Sequence, residues 1–172
     1  GSEHGFFIHE TRLLSHYGIL INGERPQRVL ASNVQQHSWL GYYIAYPPGI
    51  PVMPRDHGSG GIEDDSERTL EIRASRFIGG GMHEDIDICN FSQYPTSFEL
   101  ALEVDADFRD IAELRFPQEQ PGTIDSDWRG HALTFHYQAE RRAAPDAGGD
   151  IVRVDRKVTI AARRSGSEPE YR

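Results

Sequence analysis

Residues 97–107, SFELALEVDAD, alternate apolar and polar side chains with a period of two. Successive side chains of a β-strand point to opposite faces, so this alternation separates the apolar residues from the acidic ones. The apolar face consists of Phe98, Leu100, Leu102 and Val104. The pattern predicts a half-buried strand and favours a β-rich fold for the chain around it.

The same period recurs on both sides of this strand. HALTFHYQAE at 131–140 directs Leu133, Phe135 and Tyr137 inward. YGILINGERP at 17–26 brings a strand to Asn22-Gly23, a pair that is typical of hairpin turns. Five further segments have strand composition between Gly, Pro, Asn or Asp residues: 28–34, 38–46, 68–78, 83–91 and 150–162.

About eight or nine short strands and hardly any helix predict an all-β fold, which we expect to be an antiparallel two-layer β-sandwich of supersandwich-like type. Only 105–116 has helix-like spacing, and this segment is left unassigned. The sequence at 47–68 and 141–150 predicts mobile segments. The three glycines at 79–81 favour a hairpin connection over a phosphate loop, because no Lys-Ser/Thr pair follows them.

Composition excludes several classes of partner. The 172 residues include 27 acidic and 18 basic side chains, a formal charge of −9, so we expect no nucleic-acid partner. No apolar stretch reaches the ~20 residues of a membrane span, so we expect no membrane partner. The single Cys89 excludes an internal disulfide and suits a reducing, cytoplasmic location. Its setting, DICNF, predicts a small packed residue on a strand.

Acidic residues offer two candidate reaction centres. Asp105 and Asp107 project from the same strand face and could form a carboxylate pair, although a solvated strand end is the more ordinary explanation. His83, Asp85 and Asp87 share one face of a predicted strand and could hold a divalent cation, although an exposed polar face opposite Ile86 and Ile88 is the more ordinary explanation. We favour the ordinary explanation in both cases and predict no catalytic residue, no metal and no cofactor.

The aromatic segment SWLGYYIAY at 38–46 offers a surface for stacking on sugar rings. Alternation places Trp39 and Tyr43 on one side of the strand and Tyr42 and Tyr46 on the other. One of these pairs is expected to enter the core. We predict Trp39 and Tyr43 as carbohydrate-binding residues.

Two stretches, 5–26 and 73–115, resemble the N-terminal domain of bacterial glycogen debranching enzyme-like proteins of the amylo-α-1,6-glucosidase type. The residues that carry the resemblance are Gly5, Phe6, Phe7, Thr11, Arg12, Asn22, Gly23, Arg73, Arg76, Gly79, Gly81, Glu84, Asn90, Phe91, Pro95, Asp107, Phe108 and Asp110. Two departures are Glu10, where the family prefers Asp, and IAELRF at 111–116, which replaces the usual ending. The resemblance assigns 5–164 to the domain and 165–172 to a linker or tail.

This resemblance implies a β-sandwich that precedes a catalytic (α/α)6 barrel of a glycoside hydrolase in glycogen metabolism. We therefore expect an excised, non-catalytic domain that packs on this barrel as its partner and shapes the substrate cleft. The alternative is an autonomous module that binds α-glucan. An apolar docking surface without its barrel would favour homo-oligomers.

Arg12 and Asp107 are the polar residues that the family pattern retains. The resemblance makes both of them candidate carbohydrate contacts. The competing interpretation, which we favour, is an internal salt bridge between strand ends.

Overall fold

The computed structural model describes residues 4–46, 70–92, 95–116, 120–142 and 150–163. Strand accounts for 67% and helix for 4% of the structure, which confirms the all-β prediction. The ladders with a defined register are antiparallel, as expected for a β-sandwich. In the described ranges no helix is long and apolar enough to cross a membrane.

Eleven strands and one short helix lie in these ranges. They are β1 (Phe6–Ile8), β2 (Thr11–Leu14), β3 (His16–Ile21), β4 (Gln27–Gln35), β5 (Ser38–Ala45), β6 (Leu70–Ile78), β7 (Met82–Asn90), β8 (Leu100–Asp105), α1 (Ile111–Arg115), β9 (Thr123–Arg129), β10 (Ala132–Arg142) and β11 (Ile151–Ala161). The chain divides into two compact units, a first unit of residues 1–17 and 103–172 and a second unit of residues 18–102. Strands β3 and β8 pair with each other.

The first unit contains a three-stranded sheet in the order β11-β10-β9 and a hairpin of β1 and β2. Leu133 and Tyr137 of β10 are buried, and Phe135 is half-buried, as the alternation in 131–140 predicts. Tyr137 stacks on Phe108 with ring centroids 5.8 Å apart. Leu14 completes this contact, so the inner face of the sheet forms the core of the first unit.

The second unit contains a four-stranded sheet in the order β4-β5-β6-β7. Leu70, Ile72 and Ala74 of β6 are fully buried on one face. Ile21 of β3 packs against this face and completes the core of the second unit. Strands β6 and β7 meet at the three glycines of 79–81, which confirms the predicted hairpin connection.

The strand that was predicted over 97–107 is shorter than expected. It begins at Leu100, so Phe98 precedes it, and both of these apolar side chains are exposed. Leu102 and Val104 are half-buried, so the alternation holds only for the second half of the segment. The reason is that β8 pairs only with β3 among the described strands, and a two-stranded ribbon covers little apolar surface.

The structure contains the predicted turn at Asn22-Gly23. The prediction that the strands on either side of this turn form a hairpin is wrong. Asn22 and Gly23 have φ values of 53° and 81°, as a two-residue turn with both central residues in the left-handed region requires. Only one β-bridge follows, between Ile21 and Glu24. Pro26 has no backbone N–H to extend that ladder, and β3 pairs with β8 while β4 pairs with β5.

Three strands escaped prediction, and one residue is less buried than predicted. Strands β1 and β2 have only three and four residues, and β9 has the polar sequence TIDSDWR. Helix α1 occupies the segment that the sequence left unassigned. Cys89 lies on β7 as predicted but is exposed, because it shares the polar face of that strand with Asp85 and Asp87.

Three predictions concern residues outside the described ranges. These are the mobile segment at 47–68, the interior of the predicted loop at 143–149 and the tail at 165–172. Arg141 and Arg142, which the prediction included in the second segment, belong instead to strand β10.

Candidate functional site

Arg12 and Asp107, two of the residues that carry the family resemblance, bind each other inside the first unit. Arg12 is only 5% exposed. Its Nε donates to Asp107 Oδ1 at 3.0 Å, and its Nη2 donates to Asp107 Oδ2. Its Nη1 donates to the carbonyl oxygen of His4 at 3.0 Å. The planar guanidinium thus matches both carboxylate oxygens, which is the strongest arrangement for an arginine and an aspartate.

Gly5 makes room for this arginine. It adopts φ +154°, and a Cβ atom built at this position would collide with the Arg12 side chain and with the carbonyl oxygen of Leu14. Any larger residue would displace either the guanidinium or strand β2. The Gly-aromatic start of the sequence is therefore explained by packing around Arg12.

A second set of polar contacts flanks the first. Thr11 Oγ1 donates to Asp110 Oδ1 at 2.8 Å, and Arg156 Nη1 of β11 lies 3.0 Å from the same carboxylate oxygen. Arg156 Nη1 also donates to the carbonyl oxygen of Phe108 at 2.9 Å. We call Thr11, Arg12, Asp107, Asp110 and Arg156 the motif cluster. It ties β2 and β11 to the segment that leads into α1.

Phe108 lies between the two aspartates of the motif cluster. It has φ +51°, a left-handed conformation that is rare for an aromatic residue. This conformation sends the fully buried ring into the core, while Asp107 and Asp110 face the arginines. The polar contacts on both sides hold the backbone in this shape, since a strained φ persists only where its surroundings fix it.

The carboxylate pair of Asp105 and Asp107 does not form. Asp105 Oδ1 accepts the backbone N–H of Ala106 at 2.9 Å, whereas both oxygens of Asp107 bind Arg12. Arg109 Nε lies 3.8 Å from Asp107 Oδ2. Because both of its oxygens are bound by Arg12, the Asp107 carboxylate is not placed to act with Asp105 as one of two carboxyl groups on a substrate.

His83, Asp85 and Asp87, the candidate metal ligands, also include a carboxylate that is bound by an arginine. His83 Nε2 lies 3.2 Å from Asp85 Oδ1, but Asp87 binds Arg73 at 2.7 Å. The arginine neutralises one of the carboxylates that a divalent cation would need. Within the described ranges, no three His, Cys, Asp or Glu side chains are placed to hold a metal ion.

Trp39 and Tyr43 lie on the apolar face of the four-stranded sheet, where Gly41 leaves room for the indole. Their ring centroids are 6.4 Å apart and their planes differ by 52°, so the two rings do not form one flat platform. Arg76 lies over the Trp39 ring at 5.1 Å and binds Glu84 at 2.7 Å. Burial, and then the nearby Glu84 carboxylate, raise the pKa of Tyr43, which agrees with its place on the packed face.

The opposite face of the same sheet carries a cavity beside the second aromatic pair. Tyr42, from the second aromatic pair, lines a cavity of about 320 Å³ beside strand β4. Alternation alone could not decide which pair entered the core, because both have aromatic composition. The sugar-binding roles of Trp39, Tyr43, Arg12 and Asp107 stay predictions, and the last two are already bound to each other.

Comparison with known proteins gives a family match. Residues 1–148 match the family described as the N-terminal domain of some glycogen debranching enzymes. No curated protein and no solved structure gives a significant match. The matched range contains four of the five residues of the motif cluster and the whole of the four-stranded sheet. The chain therefore belongs to the family of N-terminal domains found in some glycogen debranching enzymes.

Proposed function

We propose that this domain has no catalytic activity and that it packs against an (α/α)6-barrel catalytic domain of its parent enzyme, where it shapes the substrate cleft. The observation that supports this most directly is the motif cluster. Glycoside hydrolysis requires two carboxyl groups that flank the scissile bond, and one of them must be free to give up a proton. Asp107 and Asp110 are instead held by Arg12 and Arg156.

The docking part of the proposal is supported by the surface around α1. None of the five residues of this helix is buried, and Phe116, which follows it, is 71% exposed. A shallow cavity of about 220 Å³ lies beside it, lined by Phe7, Ile111, Leu114 and Arg115. Exposed apolar side chains around a shallow cavity suit contact with another protein surface. The motif cluster fixes this surface, because Asp110 immediately precedes α1.

We expect the isolated chain to release no glucose from branched limit dextrin, because Asp107 and Asp110 of the motif cluster are held by Arg12 and Arg156. The measurement is an enzymatic glucose assay over several hours, with buffer as the blank. An Asp107→Asn variant serves as the matched sample for contaminating activity. Turnover by the chain that disappears in this variant would contradict the proposal.

Docking is tested by mixing the chain with the separately produced catalytic domain of its parent enzyme. We expect a one-to-one complex in size-exclusion chromatography with light scattering. A charge at the proposed surface, Phe116→Glu, is expected to weaken the complex roughly tenfold or more, since like truncations at interface centres cost over 1 kcal/mol. The control is Ile151→Glu, which places the same charge on a comparably exposed apolar residue of β11. Equal weakening by both variants, or the absence of a complex, would refute docking at α1.

A cytoplasmic location is part of the same proposal. Cys89 is a free and exposed thiol, and such a residue suits a reducing compartment. We also expect the chain to self-associate through the surface around α1. Light scattering on the chain alone measures this.

A further inference from the structure

Strand β4 is an edge of the four-stranded sheet, and its pairing with β5 contains an irregularity. Arg28 pairs with Tyr43, but Leu30 pairs with Tyr42, so Val29 is an extra residue in the ladder. Such bulges bend the strand and redirect side chains, and they are common beside binding sites. The cavity of about 320 Å³ opens at this point.

The cavity has a defined side of the sheet. Leu30 lies opposite Tyr42, and Ile44 lies opposite Glu71, so these four residues share one face. This face is the reverse of the one that buries Ile72. Val29 and Tyr43 complete the lining.

The lining combines an aromatic ring, aliphatic side chains and one carboxylate. Arg73 lies opposite Tyr42 on the neighbouring strand and binds Asp87 at 2.7 Å. Glu71 is half-buried, and its carboxylate oxygens accept hydrogen bonds. Small-molecule sites share this composition of mostly apolar walls with a few polar groups, and their volumes begin at about 300 Å³.

The charged residues near the cavity indicate which class of ligand suits it. The hairpin at 25–46 contains Arg25 and Arg28 but no acidic residue, although the chain has 27 acidic residues. Arg28 lies opposite Tyr43, on the reverse face of the sheet from Tyr42. The other exposed polar side chains of β4 are amides and a hydroxyl: Gln27, Ser32, Asn33 and Gln35. Uncharged groups of this kind pair well with hydroxyl groups.

We propose that this cavity binds one ring of a neutral oligosaccharide, with Tyr42 packed on the C–H face of the ring and Glu71 accepting a hydrogen bond from a sugar hydroxyl. The site lies on the opposite face from Trp39, so it differs from the platform that the sequence predicted. It also differs in purpose from the α1 surface, since it holds substrate and not the catalytic domain. The inference rests on the proposed function only for the choice of probe, an α-1,4-linked glucan.

The test is calorimetric titration of the whole chain with maltoheptaose at millimolar concentration. We expect measurable binding, and a loss of affinity of about tenfold for Tyr42→Ala, as removal of a stacking aromatic ring predicts. Glu71→Gln is expected to lower the affinity as well, and it leaves the ring in place. Phe77→Ala, which removes an exposed aromatic ring from the same face outside the cavity, is expected to change nothing.

Chemical-shift mapping provides a second readout on the unmodified chain. Binding should shift the backbone amides of Leu30, Tyr42 and Glu71, and this result does not depend on any variant folding correctly. The absence of heat and of shifts at millimolar maltoheptaose would overturn the inference. Affinity that falls with Trp39→Ala and not with Tyr42→Ala would overturn it too, because the sugar would then lie on the opposite face. A chain that binds no glucan but still docks on its catalytic domain leaves the proposed function intact.

Discussion

Replacing Arg12 by alanine should lower the free energy of unfolding by about 3–5 kcal/mol, the usual cost of removing one partner from a buried ion pair. The Asp107 side chain is only 20% exposed. After the substitution its charge would be left without the bidentate partner, and Arg109 at 3.8 Å compensates only partly. Urea denaturation followed by circular dichroism measures the change.

The chain contains a matched control for this experiment. Arg73 and Asp87 form a second arginine–aspartate pair across two strands, but their side chains are 50% and 53% exposed. Exposed pairs of this kind are screened by water and contribute at most about 1 kcal/mol. We therefore expect Arg73→Ala to cost far less than Arg12→Ala. Equal losses would show that burial does not determine the contribution of the Arg12 pair.

A double variant tests whether the loss of stability in Arg12→Ala comes from the unpaired charge of Asp107. Arg12→Met with Asp107→Leu removes both charges and keeps much of the volume. Apolar replacements of whole buried pairs are often neutral for stability, so we expect this variant to recover most of the loss. Failure to recover would indicate that the hydrogen bond from Arg12 to the His4 carbonyl oxygen also contributes.

Alternation of side chains predicted the elements that carry a full apolar face. Strand β10 is the best case, because every second residue from Leu133 to Ala139 is at least half-buried. Strand β9 could not be found in this way, since its exposed position allows polar residues on both faces. Strand β1 is too short for any periodic signal.

Pairing partners were less accessible to sequence reasoning than the strands themselves. The Asn22-Gly23 turn is a local signal, and its conformation followed from the two residue types. The pairing of β3 with β8 depends on residues far along the chain, and no local pattern encodes it.

The candidate sites show the same difference between local sequence signals and contacts that depend on distant residues. The family resemblance singled out Arg12 and Asp107, and their side chains meet as an internal pair. Arg156 was not anticipated, because it comes from a strand whose place beside Asp110 is set only by the folded chain. The aromatic segment was identified, but the choice between Tyr42 and Tyr43 depended on which face of the sheet is buried.

Replacing Phe108 by alanine should also destabilise the first unit by about 3–5 kcal/mol, the range for deleting a buried phenylalanine ring. The ring is fully buried and stacks on Tyr137 at 5.8 Å. Tyr137→Phe serves as the control in the same contact. Its hydroxyl is buried and has no hydrogen-bond partner among the described residues, so its removal should cost less than about 1 kcal/mol.

Phe108→Gly distinguishes the backbone effect from the loss of the ring. In most buried positions glycine is worse than alanine by about 1 kcal/mol, because it loses more conformational freedom on folding. At φ +51° the order should reverse, since alanine in the left-handed region costs about 1–2 kcal/mol that glycine does not. The two variants remove the same ring, so the difference between their unfolding free energies reports the backbone conformation and the one Cβ methyl group that alanine keeps. An alanine variant more stable than the glycine variant would mean that Phe108 does not hold a left-handed conformation in solution, and that the motif cluster does not impose one.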